Sequence, residues 1–193
     1  MRTFVAVFPP LGIRVATAAG AREAVQRLGA GFADRVRWAK PENVHLTLKF
    51  LGEVWEEDLG DVRAALGKVC SRHAPFEAEL VGLGAFPSAR RARVLWAGVG
   101  AGFKELRSVA SDLDETLAPL GFEREKRPYT PHLTLGRVLG RPAHFSDLLS
   151  EDARGPKFPV RHVEFVESTL TLEGAVYETL GAFALGEDSR RTG

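Results

Sequence analysis

The string His-Leu-Thr-Leu occurs twice in this 193-residue chain, at 45–48 and at 132–135. Each copy lies in a short apolar stretch with the alternation of a half-buried strand. Neighbouring side chains on a strand point to opposite faces. His45 and Thr47 therefore share one face and Leu46 and Leu48 the other. His132 and Thr134 stand in the same relation to Leu133 and Leu135. A fold for this chain must bury two pairs of leucines and present two imidazole–hydroxyl pairs on the reverse surface.

The rest of the sequence supplies both strands and helices. Residues 2–8 read as a strand and 11–29 as a helix closed by Gly29. Segments 36–40 and 44–52 read as strands about a turn at Pro41-Glu42-Asn43. Residues 56–73 carry Leu59, Val62, Leu66 and Val69 at helical spacing, behind an acidic first turn. Segments 76–86 and 93–100 read as paired strands. A helix over 103–121 follows, with Leu106, Val109, Leu113 and Leu117 as its apolar face. Then come a strand over 131–139, a short helix over 144–153 capped by Ser146, and strands over 160–172 and 175–185 joined through Glu173-Gly174. Several strands follow one another directly, which favours antiparallel sheets and an α+β layout. The repeated motif strand suggests two similar lobes, although the repeat is weak outside the tetrapeptide; they are expected to share one domain spanning 1–193, with a frayed tail at 187–193.

Composition excludes some classes. Hydrophobic residues make up 45% and charged residues 26%, as in soluble globular proteins. The one cysteine, Cys70, cannot form an internal disulfide and is expected buried at a helix end, so an intracellular, cytoplasmic setting is expected. No apolar run is long enough to span a bilayer, and "MRTFVAVFPP" reads as a first strand rather than a signal peptide. The net charge of +1 does not announce a nucleic-acid binder, although the basic residues are mainly arginine, whose planar donor fork suits phosphate.

Two imidazoles facing one another can divide a reaction between them. One, neutral, takes a proton; the other, protonated, gives one, and both do so near neutral pH. Threonine hydroxyls beside them can donate to the non-bridging oxygens of a phosphate. Such a pair needs neither metal nor covalent intermediate. Strand alternation leaves open which histidine is acid and which is base.

From "RTFVAVFPP" through "HLTLKFLGEV", "GAFPSARRARVLWAGV" and "YTPHLTLGRV" to "VEFVESTLTLEGAVYETLGAFAL", the chain resembles the 2H phosphoesterases. Within them it resembles the bacterial and archaeal RNA 2',3'-cyclic phosphodiesterases, formerly called 2'-5' RNA ligases. The resemblance implies a bilobal α+β fold, with an antiparallel sheet in each lobe, a cleft between them and helices outside. It implies hydrolysis of RNA 2',3'-cyclic phosphate ends to 2'-phosphates without a cofactor. His45 would be the proton donor to the leaving 3' oxygen and His132 the base that activates water, with Thr47 and Thr134 on the phosphate. Substrates would be RNA ends or small cyclic nucleotides, with tRNA as one source, handled by a monomer away from membranes. Two alternatives stay open: RNA 2'-5' ligation, which is the reverse reaction through the same groups, and a nucleotide- or RNA-binding module that retains the cleft.

Further candidates surround the motifs. Lys49 shares the face of His45 and Thr47 by alternation, and Arg137 returns to the cleft if the strand bends after Gly136. Arg90, Arg91 and Arg93, and Arg124, Lys126 and Arg127, are candidate RNA-backbone contacts. Phe8, Trp38, Phe50, Phe86 and Tyr129 are candidate base-stacking rings, with Phe8 and Tyr129 preferred because they border turns. His73, His144 and His162 lack metal-ligand spacing, "GLGAF" lacks the third glycine of a dinucleotide fingerprint, and Ser88 and Ser168 lack a nucleophile elbow.

Overall fold

The computed structural model describes residues 1–145, 154–172 and 174–186. In chain order the elements are β1 (Arg2–Val7), α1 (Leu11–Arg27), the one-turn α2 (Ala30–Ala33), β2 (Val36–Trp38), β3 (Leu46–Glu53), α3 (Leu59–Cys70), β4 (Phe76–Phe86), β5 (Val94–Val99), α4 (Phe103–Leu117), β6 (His132–Val138), β7 (Arg154–Val160), β8 (His162–Thr171) and β9 (Gly174–Ala184). The strands join into one antiparallel sheet in the order β7-β4-β5-β6-β3-β1-β8-β9, with β2 paired to β6.

Two sheets were expected; the strands instead run through one, and the link is narrow. β3 and β6 pair through a single pair of residues, Leu46 and Leu133. On one side of this seam lie β3, β1, β8 and β9, and on the other β6, β5, β4 and β7. Each motif strand is innermost in its own half. The C-terminal hairpin does not extend the second half. β8 pairs with β1, so the chain returns to complete the half in which it began.

Helices cover one face of this sheet. Val62, Leu66 and Val69 of α3 and Leu106, Val109, Leu113 and Leu117 of α4 are buried with Leu46, Leu48, Leu133 and Leu135 in the main core. Each fully buried leucine of this kind contributes about 1.5–3 kcal/mol. Cys70 closes α3, fully buried, and burial pushes its thiol up to about 11. A smaller core under the second half packs Val36, Leu95, Val138 and Phe145, with Phe32 of α2 5.7 Å from the Phe145 ring. No helix is long and apolar enough among the described residues to cross a membrane.

Four local expectations change. β2 does not pair with β3 across the Pro41–Asn43 turn. That turn is a 3-10 helix that redirects the chain, and Val36 lies against Val138 of β6. The acidic first turn at Glu56–Asp58 is 3-10, and α3 starts at Leu59. β7 has no counterpart in the sequence reading because Pro156 and Pro159 argue against a strand; it pairs only with β4, an edge position where proline is tolerated. His144 and Phe145 are not helical, and the remainder of the expected 144–153 helix, Ser146 included, lies outside the described residues, as does the 187–193 tail.

Candidate active site

The site is built by a fault in alternation that both motifs share. Opposite β1, Thr47 pairs with Ala6 and Lys49 with Val5, so Leu48 is an extra residue. Opposite β5, Thr134 pairs with Trp96 and Gly136 with Leu95, so Leu135 is the extra residue. Each motif thus bulges at its fourth residue. A bulge shifts the parity of every side chain after it. Residues 49 and 136 turn toward the helices, and residues 50 and 137 turn to the face of the histidines.

Lys49 is consequently not beside Thr47. It is 2% exposed and its Nζ donates to Asp114 Oδ1 at 2.5 Å and to the Glu123 carbonyl at 2.9 Å. Its place on the open face is taken by Phe50, paired with Phe4 and 64% exposed. In the second motif the bulge brings Arg137 round to where its charge acts on the Tyr177 phenol. Tyr177 meets the His45 ring edge-on at 5.3 Å.

The two histidines are held alike. His45 Nδ1 lies 2.7 Å from the carbonyl of Asn43, and His132 Nδ1 lies 2.7 Å from the carbonyl of Thr130. A carbonyl can only accept, so Nδ1 carries the proton in both rings. Each Nε2 is left to take or give a proton. Aromatic collars surround both. Phe4 stacks on His45 at 4.7 Å and Phe8 lies at 5.1 Å; Phe86 meets His132 at 4.9 Å and Trp96 at 6.0 Å. Gly84 is required here, because a Cβ would fall 2.1 Å from the Trp96 ring.

Burial lowers both imidazoles. His45 is pushed from 6.5 down to about 4, chiefly by desolvation, with the charges of Arg14 and His132 adding to it against the Asn43 carbonyl. His132 is lowered in the same direction by burial, opposed by the Thr130 carbonyl. The effect of the His132 charge on His45 places the two rings within electrostatic reach. Thr47 and Thr134 are part-buried on the same surface.

Other expected residues fall in different places. Phe8 joins the site. The Tyr129 ring, part-buried, packs against the main core with its hydroxyl buried, and burial pushes that phenol far up. Trp38 packs on the core under Arg22. Arg127 is exposed on the loop before β6 and lines a groove that Phe50 also lines. Arg90, Arg91 and Arg93 are exposed on the turn after Phe86. His73 and His162 bind Asp112 and Glu164 elsewhere.

The sequence reading missed Arg14, Asn43 and Tyr177. Arg14 reaches from α1 to the carbonyls of Pro41 (3.2 Å) and Glu42 (2.6 Å), over the Phe8 ring. Asn43 Nδ2 donates to the Ala175 carbonyl of β9 at 2.7 Å. Together they clamp the 3-10 turn whose last carbonyl orients His45. Only β8–β1 pairing brings Tyr177 and Ala175 here, and no local pattern announces that.

The pattern of the LigT-like phosphoesterases matches residues 11–96 and 99–177 of this chain. The chain belongs to that family. Among curated LigT-like relatives, an RNA 2',3'-cyclic phosphodiesterase of Aeropyrum pernix is 38% identical over 150 residues, covering 75% of this chain and 84% of that one. One of Thermus thermophilus is 34% identical over 200 residues, covering 98% and 93%. The fold is likewise that of the LigT-like phosphoesterases. A crystal structure of a Thermus thermophilus protein superposes with a TM-score of 0.81 at 30% identity, covering 97% of this chain and all of the other. E. coli LigT complexed with 3'-AMP superposes at 0.72 and 25% identity, covering 95% and 97%.

Proposed function

We propose that this chain hydrolyses the 2',3'-cyclic phosphate at RNA ends to a 2'-phosphate, through its two histidines and without a metal ion. The observation that carries this reading is the matched pair of imidazoles. Each has Nδ1–H on a carbonyl, which leaves Nε2 to exchange a proton, and each stands beside a threonine at the seam between two half-sheets. Curated relatives at 32–38% identity bear the name of that activity. Among the described residues, no three His, Cys, Asp or Glu side chains gather where a metal could be held.

In this reading the half-sheets act as lobes and the cyclic phosphate sits between them in one cleft. His132 Nε2 takes a proton from water as the water oxygen bonds to phosphorus. The P–O3' bond breaks, and His45 Nε2–H protonates the departing O3'. Thr47 and Thr134 donate to the non-bridging oxygens, and Arg137 offsets their negative charge. The bound anion also supplies what burial withholds: a negative charge beside each ring raises the imidazole pKa and lets the donor hold its proton. The deciding experiment incubates an RNA oligomer ending in a 2',3'-cyclic phosphate with the monomeric protein and a chelator. A 2'-phosphate end is expected. A 3'-phosphate product, or strict dependence on a divalent cation, contradicts the mechanism.

A further inference from the structure

The bulge that turns Lys49 inward also gives it a second task. Lys49 binds the Glu123 carbonyl, and Asp114, its ion-pair partner, accepts the Glu125 backbone N–H with both carboxylate oxygens at 3.2 Å. An ion pair between a buried lysine and a part-buried aspartate thus fastens the middle of the loop that leads into β6. Between this loop and the end of β3 runs a groove of about 430 Å³, lined by residues 50–52 and 122–127. Phe50 stands at its edge, on the face of His45 and Thr47. Lys126 and Glu123 pair with each other at 3.0 Å, which leaves Arg124 and Arg127 as the arginine charges beside Glu125.

We infer that this groove is a subsite for the RNA strand on the 5' side of the cyclic end, with a base on Phe50 and a backbone phosphate on Arg124 and Arg127. The inference rests on the phosphodiesterase reading and extends it from the cyclic phosphate to the polymer behind it. A strand whose 3' end lies at the histidines can continue only in the 5' direction. Along β3, Phe50 is three residues beyond Thr47, about 10 Å, and the groove opens next to it. An exposed ring and exposed guanidinium groups are the usual means of holding single-stranded nucleic acid without reading its sequence. The anchored loop presents its arginines with less ordering cost than a mobile one.

The test compares kcat/KM for a cyclic-phosphate-ended oligoribonucleotide with that for a mononucleoside 2',3'-cyclic phosphate. The double variant Arg124→Glu, Arg127→Glu alters only exposed residues. It is expected to lower the oligomer-to-mononucleotide ratio at least tenfold and to reduce the salt slope by about 0.7, as for one lost phosphate contact to a single strand. Phe50→Ala lowers the same ratio about fivefold. An unchanged ratio overturns the subsite. Should the unmodified protein turn over neither substrate, the phosphodiesterase reading fails, and fluorescence anisotropy with a labelled 3'-phosphorylated oligoribonucleotide decides the groove alone. A tenfold weaker affinity in the double variant upholds it, and equal affinity overturns it.

Discussion

His45 and His132 sit in equivalent places in two unlike surroundings. Both donate Nδ1–H to the carbonyl two residues before them, and both strands bulge at the fourth motif residue. His45, however, is enclosed by Phe4, Phe8 and Tyr177 with Arg14 nearby, and its turn is clamped by α1 and β9. His132 has Phe86 and Trp96, and its carbonyl lies in an exposed loop. Position is thus shared between the halves, while electrostatics and rigidity are not. In the proposed mechanism equal geometry would allow either ring to act as acid or base, and the difference in surroundings would separate their roles.

The sharpest test removes each ring in turn. His45→Ala and His132→Ala should each lower kcat/KM at least about 100-fold, the usual scale for a general acid or base. A phosphodiester with a nitrophenolate leaving group needs no protonation of that group. It should restore much of the rate to His45→Ala and little to His132→Ala. The opposite pattern would exchange the roles.

The bulges predict an inequality in stability. Lys49→Met leaves the Asp114 carboxylate without its buried partner and should cost about 3 kcal/mol in a denaturant titration. Phe50→Ala, the next residue but on the open face, should cost much less. Equal losses would mean that the parity shift at Leu48 is wrong.

The pH dependence probes the electrostatic difference. With His45 near 4 and His132 below its ordinary value, kcat/KM should peak below pH 6.5 and fall up to tenfold per unit toward pH 8. An optimum above pH 7.5 would contradict both shifts. Stability has its own sign. The neutral His45 ring is favoured in the fold, so its contribution is complete above pH 6.5 and is lost as pH falls toward 4. His45→Gln should flatten that part of a melting-temperature profile.

The smallest effect concerns the clamp. Arg14→Gln removes a charge that holds His45 down and loosens the turn beneath it. A loss of about tenfold in kcat is expected. The limb of the pH profile that belongs to His45 should move upward, whereas simple structural damage would lower the rate without moving it.

Much of this was legible locally. The apolar faces of α3 and α4 follow from leucine and valine spacing, because a helix repeats every 3.6 residues whatever it packs against. The burial of Leu46, Leu48, Leu133 and Leu135 under two His–Thr pairs follows from strand alternation. Lys49 was misplaced because a bulge belongs to a pair of strands. Nothing within "HLTLKF" shows that Leu48 has no partner on β1. β7 was hidden by its prolines, which are harmless only at an edge, and edges are defined by the finished sheet.

The sequence by itself determined the types of most elements, though not β7 or the 3-10 turn at Glu56–Asp58, and the two faces of each motif strand up to its fourth residue, with the side chains each face carries. These depend on residue type and on backbone periods of 2.0 and 3.6, both local properties. Only the tertiary structure decided that the half-sheets meet at Leu46 and Leu133, that the C-terminal hairpin brings Tyr177 to His45, and that Lys49 faces the core while Phe50 and Arg137 face the site. Pairing partners and registers are set by long-range burial, and a register shift of one residue is enough to exchange the core face of a strand for its working face.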